Sequence, residues 1–535
     1  MNVEHTTMKR LTDEEIKAMP VDELQRLIAE QQFHIYHLRS EIARLRHDLF
    51  GKRSEKLSGI DKEQSLLFNE IESGAKSEEE ELQSLADRAP LFVREHTRKK
   101  PGRRPLPSDL PRREILHDLA DDEKICTQHG VPLPHIGDDV SERLHIIPMQ
   151  VEVERHIRPK YGQCPECRKS RDAIAPDARP EVRMAPAPAT LIPGSIATAA
   201  LLAYIITGKF CDALPFHRLE KIFARSGVEL TRATMCFWAI RIAAKTVRLR
   251  KLLWDELRRA KILHIDETTI QVLKEPQRKP TTQSYLWGYR SGGAKPIVLF
   301  EYRMTRSGEF LRKRLRGFSG TFMADGYAGY DYLGGREGIT RIGCWAHVRR
   351  KYFEAEKSGS AEAGWFLMKI RDLYLIESKA RNSTPEERRE LRQQYSRLII
   401  EEIHAKIHNL SPTMIPQSHL GKAMSYTLNQ WKYLLPFLEN GELPIDNNAM
   451  ENDIRPFVVG RKNWLFAAVQ KGAAASAFLY SLIQTAKANG HEPFWYLRYL
   501  FEKLPEAGGN KEALRALLPM NVSSDEVDRH FGRQK

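Results

Sequence analysis

The sequence predicts a multidomain chain with an N-terminal coiled coil, a small metal-binding domain, a helical region and an α/β domain that carries a helical insertion. Three observations support this fold class: a heptad repeat near the N-terminus, paired metal-ligating residues further along, and a run of strands that bear acidic residues. At 535 residues the chain is too long for a single hydrophobic core, so several domains are expected.

The composition is basic. Lys and Arg outnumber Asp and Glu by 84 to 70, which gives a formal net charge of +14. This balance suits a polyanionic partner, whereas a basic protein with solvated charges is the alternative. The N-terminus has no apolar signal core, and the longest apolar stretch, IATAALLAYIIT, is too short to span a bilayer. We therefore expect a soluble cytoplasmic protein with no membrane partner.

Residues 20–57 carry apolar side chains at alternating steps of four and three. Ile occupies one seam position and Leu the other, the combination that favours parallel two-stranded coiled coils. Gln31 interrupts the Leu column and is expected to fix the register. A single amphipathic helix packed on its own protein is the alternative; the unbroken period favours a coiled coil that forms a homodimer. The seam residues are Leu24, Ile28, Gln31, Ile35, Leu38, Ile42, Leu45 and Leu49.

Residues 58–118 are predicted to form a charged linker. The stretch 58–95 is acidic and polar, and the charge then inverts in HTRKKPGRRPLPSDLPRRE. Proline keeps such a segment extended, and PGRRP resembles the short basic hooks that lie in the DNA minor groove. A solvated linker without a partner is the alternative. The predicted DNA contacts are Arg98, Lys99, Lys100, Arg103 and Arg104.

Residues 119–180 contain two pairs of metal-ligating side chains, Cys126 with His129 and Cys164 with Cys167. In each pair two residues separate the ligands, which is the pattern of a closed structural zinc site. Six cysteines in so long a chain do not suggest a disulfide framework, so a metal in a reducing compartment is favoured. A degenerate site without metal is the alternative. Competing ligands are His135, His145 and His156.

Residues 185–260 have helical periodicity. The segment LPFHRLEKIFARSGVELTRATMCFWAIRIAAK predicts a helix, a turn at Ser226-Gly227 and a second helix capped by Thr231. This is the outline of a helix-turn-helix, with Thr231, Arg232 and Thr234 at the start of the recognition helix and Arg232 as the predicted DNA contact. Any two short packed helices would give the same pattern.

From Lys261 the chain predicts three strands, a helix, a fourth strand, a short connection and a fifth strand. This is the element order of a ribonuclease H-like domain, in which the first strand runs beside the fourth. Asp266 lies on the first strand and Asp325 closes the fourth, so the two carboxylates are expected to meet. Glu451 lies in the first turn of a later helix, which residues 446–448 would cap.

The domain boundaries follow from this pattern. The first part of the α/β domain covers residues 261–354, a helical insertion covers 355–440, the remainder of the domain covers 441–500, and a C-terminal tail covers 501–535. The insertion is expected because 355–440 has helical periodicity and many charges.

Three acids placed on two strands and a helix can hold two Mg²⁺ or Mn²⁺ ions roughly 4 Å apart. Each acid also has an ordinary structural alternative: a strand-end hydrogen bond for Asp266, a turn for Asp325, and an ion pair with Arg455 for Glu451. Asp266 is the hardest to explain that way, because a carboxylate among apolar strand residues is costly to desolvate without a partner. The neighbouring acids that could take these roles instead are Glu267 and Asp453.

The chain resembles transposases of the insertion sequence 66 family, the large subunit with an Asp-Asp-Glu core. The resemblance spans nearly the whole length and rests on the blocks LFGKRSEKL, KKPGRRPLP, the cysteine pairs, LPFHRLEKIFARSGVELTRAT, HIDET, MADGYAGY, CWAHVRRKYFE, DNNAMENDIRPFVVGRKNWLF and SLIQTAKANGHEP. Two departures stand out: His129 where a second Cys is usual, and MEND around Glu451 where a small residue and Arg more often flank the acid.

This resemblance implies that Asp266, Asp325 and Glu451 are the catalytic, metal-binding acids. It implies a DNA transposase that binds terminal inverted repeats, cleaves each 3′ end with Mg²⁺ and transfers the strand to target DNA, with small companion proteins as further partners. Trp464 is expected to fill the core rather than stack on a base. The further predicted DNA contacts are His347, Arg349, Arg350, Arg461 and Lys462.

Two other functions fit the same residues. The first is a ribonuclease H-like DNA nuclease that cuts without strand transfer. The second is a DNA-binding accessory protein whose acids are structural. Metal-dependent cleavage separates the accessory protein from the enzymes, and joined products separate the nuclease from the transposase.

Overall fold

The computed structural model describes residues 20, 150–161, 183–334 and 336–533. The predicted coiled coil beyond Pro20, the basic linker segment and the four expected zinc ligands lie outside the described residues. They comprise the DNA contacts Arg98, Lys99, Lys100, Arg103 and Arg104 and the zinc ligands Cys126, His129, Cys164 and Cys167.

Within the described residues, eight strands form two sheets. The strands are β1 (Lys160–Tyr161), β2 (Arg183–Met184), β3 (Ile262–Lys274), β4 (Gln283–Ser291), β5 (Val298–Arg303), β6 (Gly320–Met323), β7 (Ile339–Ile342) and β8 (Phe466–Val469). β1 and β2 pair antiparallel in a small sheet. The main sheet has the order β5-β4-β3-β6-β7, with β8 beside the second half of β3.

The long strand β3 is the centre of the main sheet. It pairs antiparallel with β4 and parallel with β6, so the first strand of this region lies beside the fourth, as the sequence predicts. Its apolar residues, among them Leu263, Ile265 and Ile270, are buried, as expected of a strand covered on both faces. Because β3 holds partners on both sides, the acid it carries has a fixed position in the middle of the sheet.

Between residues 183 and 261, where the chain is described without a gap, four helices precede the main sheet: α1 (Ala199–Phe210), α2 (Phe216–Arg225), α3 (Arg232–Lys245) and α4 (Val247–Leu257). The predicted pair of helices with a turn at Gly227 is present, and the Thr231 hydroxyl accepts the Thr234 N–H at 3.3 Å. Gly227 has φ of +76°, a left-handed conformation that favours glycine. Leu219 and Trp238 join the same hydrophobic core as the sheet.

Helices fill the chain between β5 and the helix that bears Glu451. They are α5 (Phe310–Arg314), α6 (Asp331–Gly334), α7 (Trp345–Lys357), α8 (Ala361–Lys379), α9 (Pro385–Leu391), α10 (Arg397–Leu410) and α11 (His419–Leu434). The helices α7, α8, α10 and α11 enclose a second hydrophobic core, which includes Ile370, Ile403 and Met424 and reaches the sheet at Met323. The helical character expected between 355 and 440 is therefore observed.

Five helices complete the fold: α12 (Asn448–Trp464), α13 (Gln470–Ala488), α14 (Pro493–Ala507), α15 (Lys511–Ala516) and α16 (Ser524–His530). α13 covers the edge strand β5, where the Ser481 hydroxyl accepts the Phe300 N–H at 2.8 Å. Protecting an edge in this way leaves it unable to pair with another chain. Residues 501–533, expected to be a tail, instead form helical segments whose Leu504, Leu514 and Val527 enter the main core.

None of the helices in the described ranges is both long enough and apolar enough to cross a membrane.

Candidate active site

Asp266 and Asp325 lie side by side because their strands are parallel neighbours. His264 of β3 is opposite Met323 of β6, and two further residues along each strand reach Asp266 and Asp325. The Asp266 carboxylate accepts the Glu267 N–H at 2.9 Å, and the Asp325 carboxylate accepts the Tyr327 N–H at 3.0 Å. These local bonds fix the orientation of each carboxylate without neutralising its charge.

Glu451 lies in the first turn of α12 and is 1 % exposed. Of the predicted capping residues 446–448, the Asp446 carboxylate accepts the Asn448 N–H at 3.0 Å, whereas the Asn447 side chain does not cap the helix. The Asn447 Oδ1 instead bonds the ring Nδ1 of His264 at 2.9 Å, and its Nδ2 donates to the Ile265 carbonyl at 3.2 Å. Asn447 therefore fastens the start of the Glu451 helix directly to the strand that bears Asp266.

The acids act on one another electrostatically. The pKa of Asp266 is raised well above its usual range, chiefly because its carboxyl group is removed from water, and then because Glu267, Glu451 and Asp325 repel its charge. Within the part of the chain that the structure describes, no Lys or Arg forms an ion pair with Asp266 or Asp325. Asp266 and Asp325 thus concentrate negative charge without a cation from the same part of the chain paired to either of them.

The surroundings of Glu451 come from α7. Arg350 Nη2 lies 3.5 Å from Glu451 Oε2, and His347 Nδ1 lies 3.6 Å from Glu451 Oε1. Burial lowers the pKa of His347 to about 4, so the ring is neutral at pH 7. Among the described residues Glu451 Oε1 has no hydrogen-bond partner, and the predicted alternative of an ion pair with Arg455 is not formed.

Cys344 is the residue of this site that the sequence analysis missed. It precedes α7 and is 2 % exposed, and its Sγ accepts the Asn447 N–H at 3.2 Å. Ligand atoms of Cys344, His347 and Glu451 all lie within 4.8 Å of one another. The signal was present in CWAH, which spaces Cys and His as the CPEC segment spaces its cysteines.

The two acids that could have replaced the favoured ones have partners. The Glu267 carboxylate accepts hydrogen bonds from Arg306 Nε at 2.7 Å and from the Tyr330 hydroxyl. Burial raises the pKa of Glu267 to about 7, with repulsion from Asp325 next, while the Arg306 guanidinium opposes the rise. Asp453 forms an ion pair with Arg290 of β4. Both acids therefore have internal partners of the kind that structural carboxylates have.

The predicted DNA contacts divide by exposure. Arg232 and Lys462 are exposed, and Arg349 is half-buried above the Phe353 ring. Arg350 is buried beside Glu451, and His347 has only 13 % of its side chain exposed.

Arg461 does not lie on the surface as its predicted contact with phosphate requires. It is buried, and its Nη1 donates to the Thr269 hydroxyl at 2.7 Å and to the carbonyl of the same residue, which joins α12 to β3. Trp464 packs edge-on against Phe457 with ring centres 5.4 Å apart, in agreement with the expected core role.

Oxygen ligands suit Mg²⁺ and Mn²⁺, and the donor set here is of that kind. Two observations fit a bound divalent cation: mutual repulsion of Asp266, Asp325 and Glu451, and the unpartnered buried oxygen of Glu451. Asp266, Asp325 and Glu451 are therefore the residues able to hold it.

Comparison with known proteins supports a DNA-acting family. Residues 194–475, just over half of the chain, match the transposase IS66 family. Residues 37–115 match the transposase C of IS166 homeodomain, residues 123–168 the zinc-finger binding domain of transposase IS66, and residues 481–520 the IS66 C-terminal element. The order of domains thus runs from an N-terminal region through a zinc-finger domain to a mixed sheet and helix domain.

Two relatives from Sinorhizobium fredii are similar over almost their whole length. The uncharacterized protein y4jD is 31% identical over 520 residues, which cover 95% of this chain and 97% of the relative. The uncharacterized protein y4qI is 30% identical over 509 residues, which cover 92% of this chain and 90% of the relative. The matches to the family's domains and the similarity to these two relatives agree. The chain therefore belongs to the transposase IS66 family.

Proposed function

We propose that this chain is the catalytic transposase of an insertion sequence, which binds the terminal inverted repeats, cleaves DNA at each 3′ end with Mg²⁺ or Mn²⁺ and transfers the freed strand to target DNA. Its α/β domain is proposed to be ribonuclease H-like. The sheet supports this, because three antiparallel strands, β5, β4 and β3, continue into the parallel strands β6 and β7.

The convergence of Asp266, Asp325 and Glu451 is the observation that carries the proposal. Asp266 lies on β3, and Asp325 directly follows the neighbouring strand β6. The hydrogen bond between Asn447 and His264 holds the start of α12, which bears Glu451, against β3. Within the described ranges no Lys or Arg forms an ion pair with Asp266 or Asp325, in contrast to Glu267 with Arg306, and Glu451 keeps one buried oxygen without a hydrogen-bond partner. We assign them to two divalent ions, with Glu451 completing the shell of one.

When bound, such ions activate a water or a 3′-hydroxyl and stabilise the leaving oxygen of a phosphodiester. The side chains of the protein would hold the ions, and their neighbours orient the carboxylates that do so. Asp266 and Asp325 present their carboxylates from adjacent strands, and Arg350 at 3.5 Å restrains one oxygen of Glu451. His347, neutral at pH 7, is placed to order the other oxygen or to contact the scissile phosphate.

The reaction has two balanced steps. Water attacks the phosphorus at the end of the element, a P–O bond forms, and the bond to the 3′-oxygen breaks to leave a 3′-hydroxyl. That hydroxyl then attacks a target phosphodiester, so one P–O bond forms and one breaks, and a target 3′-hydroxyl leaves. Each step gives a proton to solvent or to the leaving oxygen and needs no oxidant.

We assign DNA binding to several regions. The basic segment around Arg103 and Arg104, the zinc-finger domain, and the start of α3 at Arg232 would contact the element ends, with Arg349 and Lys462 on phosphates. The zinc ion would be structural. A homodimer through the N-terminal coil would hold two ends together, and small companion proteins of the same element would act with it.

The test is an end-cleavage assay on an inverted-repeat duplex with Mg²⁺. Asp266→Ala is expected to abolish nicking at the 3′ end and the joined products that follow, while Glu309→Ala, an exposed acid of the same domain, retains both. Nicking that survives in Asp266→Ala would overturn the assigned site. Nicking without joined products in the wild type would favour a nuclease, and DNA binding without any cleavage an accessory protein.

A further inference from the structure

A second donor set shares Glu451 with the three acids and adds two ligands that the proposed magnesium site does not use. It consists of the Cys344 thiol, the His347 ring and the Glu451 carboxylate, whose ligand atoms lie within 4.8 Å of one another. Cys344 and His347 come from the start of α7, and Glu451 comes from the start of α12. Two helices thus bring together one sulfur, one nitrogen and one oxygen ligand.

The unsatisfied atoms of this cluster point to a ligand. Glu451 Oε1 and His347 Nδ1 are both buried, and among the described residues neither has a hydrogen-bond partner. A buried polar atom without a partner is costly, so such atoms are retained where something else binds them. These two atoms lie 3.6 Å apart, too far for a hydrogen bond between them.

That spacing suits a shared metal ion. Zinc bonds of about 2.0–2.2 Å to nitrogen and oxygen, at a tetrahedral angle, place the two ligand atoms about 3.3–3.6 Å apart. Sulfur and nitrogen ligands favour zinc and similar soft cations over Mg²⁺, which prefers oxygen alone.

Cys344 is placed as the sulfur ligand by the two helix starts. Its Sγ lies before α7 and accepts the N–H of Asn447, the residue that precedes α12. Burial, and then repulsion from Glu451 and Asp446, raise the pKa of the thiol well above its usual range, so the metal itself must displace the proton. The Arg350 guanidinium, 3.5 Å from the other oxygen of Glu451, opposes a cation and limits its affinity.

We propose that Cys344, His347 and Glu451 form a site for a soft divalent cation, Zn²⁺ or its equivalent, with a fourth position open to water. Binding there removes Glu451 from the Mg²⁺ site, since one carboxylate on a rigid helix serves one set of ligands at a time. Zinc is then an inhibitor that competes with Mg²⁺. This consequence rests on the proposed function, whereas the metal site itself does not.

Cobalt provides the direct test, because a thiolate bound to Co²⁺ gives a charge-transfer band in the near ultraviolet. The full chain is first loaded with one equivalent of Zn²⁺, which fills the four-ligand zinc-finger domain before the three-ligand site, and Co²⁺ is then titrated. Since Zn²⁺ binds more tightly than Co²⁺, the zinc-finger domain keeps its zinc. The wild type is expected to gain the band with one equivalent of Co²⁺.

Cys344→Ser is expected to lose this band, whereas Cys236→Ser, a change at an exposed cysteine of α3, retains it. A band of equal size in Cys344→Ser would overturn the proposal, as would its loss in Cys236→Ser. His347→Gln keeps the thiolate and removes a ligand, so it is expected to retain the band with at least tenfold weaker Co²⁺ binding. This variant decides the question if Cys344→Ser does not fold.

The inhibitory consequence has its own readout. In the Mg²⁺-dependent cleavage assay, the rate of each protein is expressed as a fraction of its own zinc-free rate, and the Zn²⁺ concentration that halves this fraction is determined. That concentration is expected to be at least tenfold higher for Cys344→Ser than for the wild type. An unchanged value would contradict the competition between the two metals. If the wild type cleaves no DNA while the cobalt band behaves as expected, the proposed function fails and the metal site stands.

Discussion

The two ends of β3 treat buried carboxylates in opposite ways. Just beyond one end, Glu275 is buried, and it pairs with Arg278 Nη1 at 2.6 Å and accepts hydrogen bonds from the hydroxyls of Ser284 and Tyr302. Near the other end, Asp266 faces Asp325 and Glu451, and no Lys or Arg of the described ranges forms an ion pair with Asp266.

The difference follows from the cost of burying charge. An ionised carboxylate loses several kcal/mol on leaving water, and it persists where a cation and hydrogen bonds compensate. At Glu275 the chain supplies both compensations permanently, so this carboxylate serves stability. At Asp266 the proposed metal ion would supply this compensation, so we expect lower stability without the ion and cleavage only with it.

The largest expected effect is on activity and concerns Glu451. Glu451→Gln keeps the shape of the side chain and removes the charge that holds a metal ion, so we expect the cleavage rate in Mg²⁺ to fall about 10³-fold. Initial rates on an inverted-repeat duplex measure this. Glu309→Gln, at an exposed position, is the matched control. A rate within tenfold of the wild type would return Glu451 to a structural role.

Glu451 also marks the limit of what the sequence could predict. Asp266 and Asp325 could be placed together, because the order of strands predicts that β3 and β6 are neighbours and the structure confirms it. Glu451 lies far along the chain, beyond helices with a hydrophobic core of their own. No local pattern shows that Asn447 bonds His264, and this long-range contact determines where the Glu451 helix begins.

Arg461 and Cys344 are two further residues whose surroundings could not be predicted from the sequence. In the sequence Arg461 adjoins Lys462 and resembles a surface contact for phosphate, yet it is buried and bonds Thr269. Cys344 is one cysteine in an apolar stretch, and only the meeting of two helix starts brings its sulfur near Glu451. Periodicity predicts which elements form, whereas the side chains that meet between distant elements depend on packing.

The second prediction concerns the paired end of β3. Arg278→Ala leaves Glu275 buried without its cation, and breaking such a pair is expected to destabilise the protein by about 3 kcal/mol. Urea denaturation, followed by circular dichroism, measures the free energy of unfolding. Arg316→Ala, at an exposed position, should change it by less than about 0.5 kcal/mol. Equal effects of the two substitutions would show that Glu275 does not depend on Arg278.

The third prediction concerns Asp266, at the end of β3 where, among the described residues, the carboxylate has no paired cation. Here a substitution is expected to stabilise the protein rather than destabilise it. Without metal, Asp266→Asn removes a charge that Asp325 and Glu451 repel, so the free energy of unfolding is expected to rise by about 1–2 kcal/mol. Asp453→Asn, which breaks the ion pair with Arg290, is expected to lower it. Mg²⁺ should raise the melting temperature of the wild type and not that of Asp266→Asn. Destabilisation by Asp266→Asn would indicate a hidden structural partner.

The smallest effect concerns a half-buried cation, Lys209 at the end of α1. Its ammonium group lies 4.5 Å from the centre of the Phe216 ring and 5.5 Å from that of Trp464. Burial lowers the pKa of Lys209 to about 8 from its usual 10.5. Between these values the unfolded chain binds more protons than the folded one, so the free energy of unfolding rises with pH, by about 1 kcal/mol from pH 8 to 9.

Lys209→Met isolates this contribution, because it keeps the apolar stem and removes the titrating group. The rise in unfolding free energy between pH 8 and 9 should disappear in Lys209→Met and persist in Lys313→Met, which changes an exposed lysine. An equal rise in all three proteins would assign it to other groups. Aromatic rings compensate a buried cation only in part, whereas Arg278 and two hydroxyls compensate Glu275 fully. The charge of Lys209 is therefore compensated less fully than that of Glu275. Its cost of burial is measurable, and no exchangeable ion removes it.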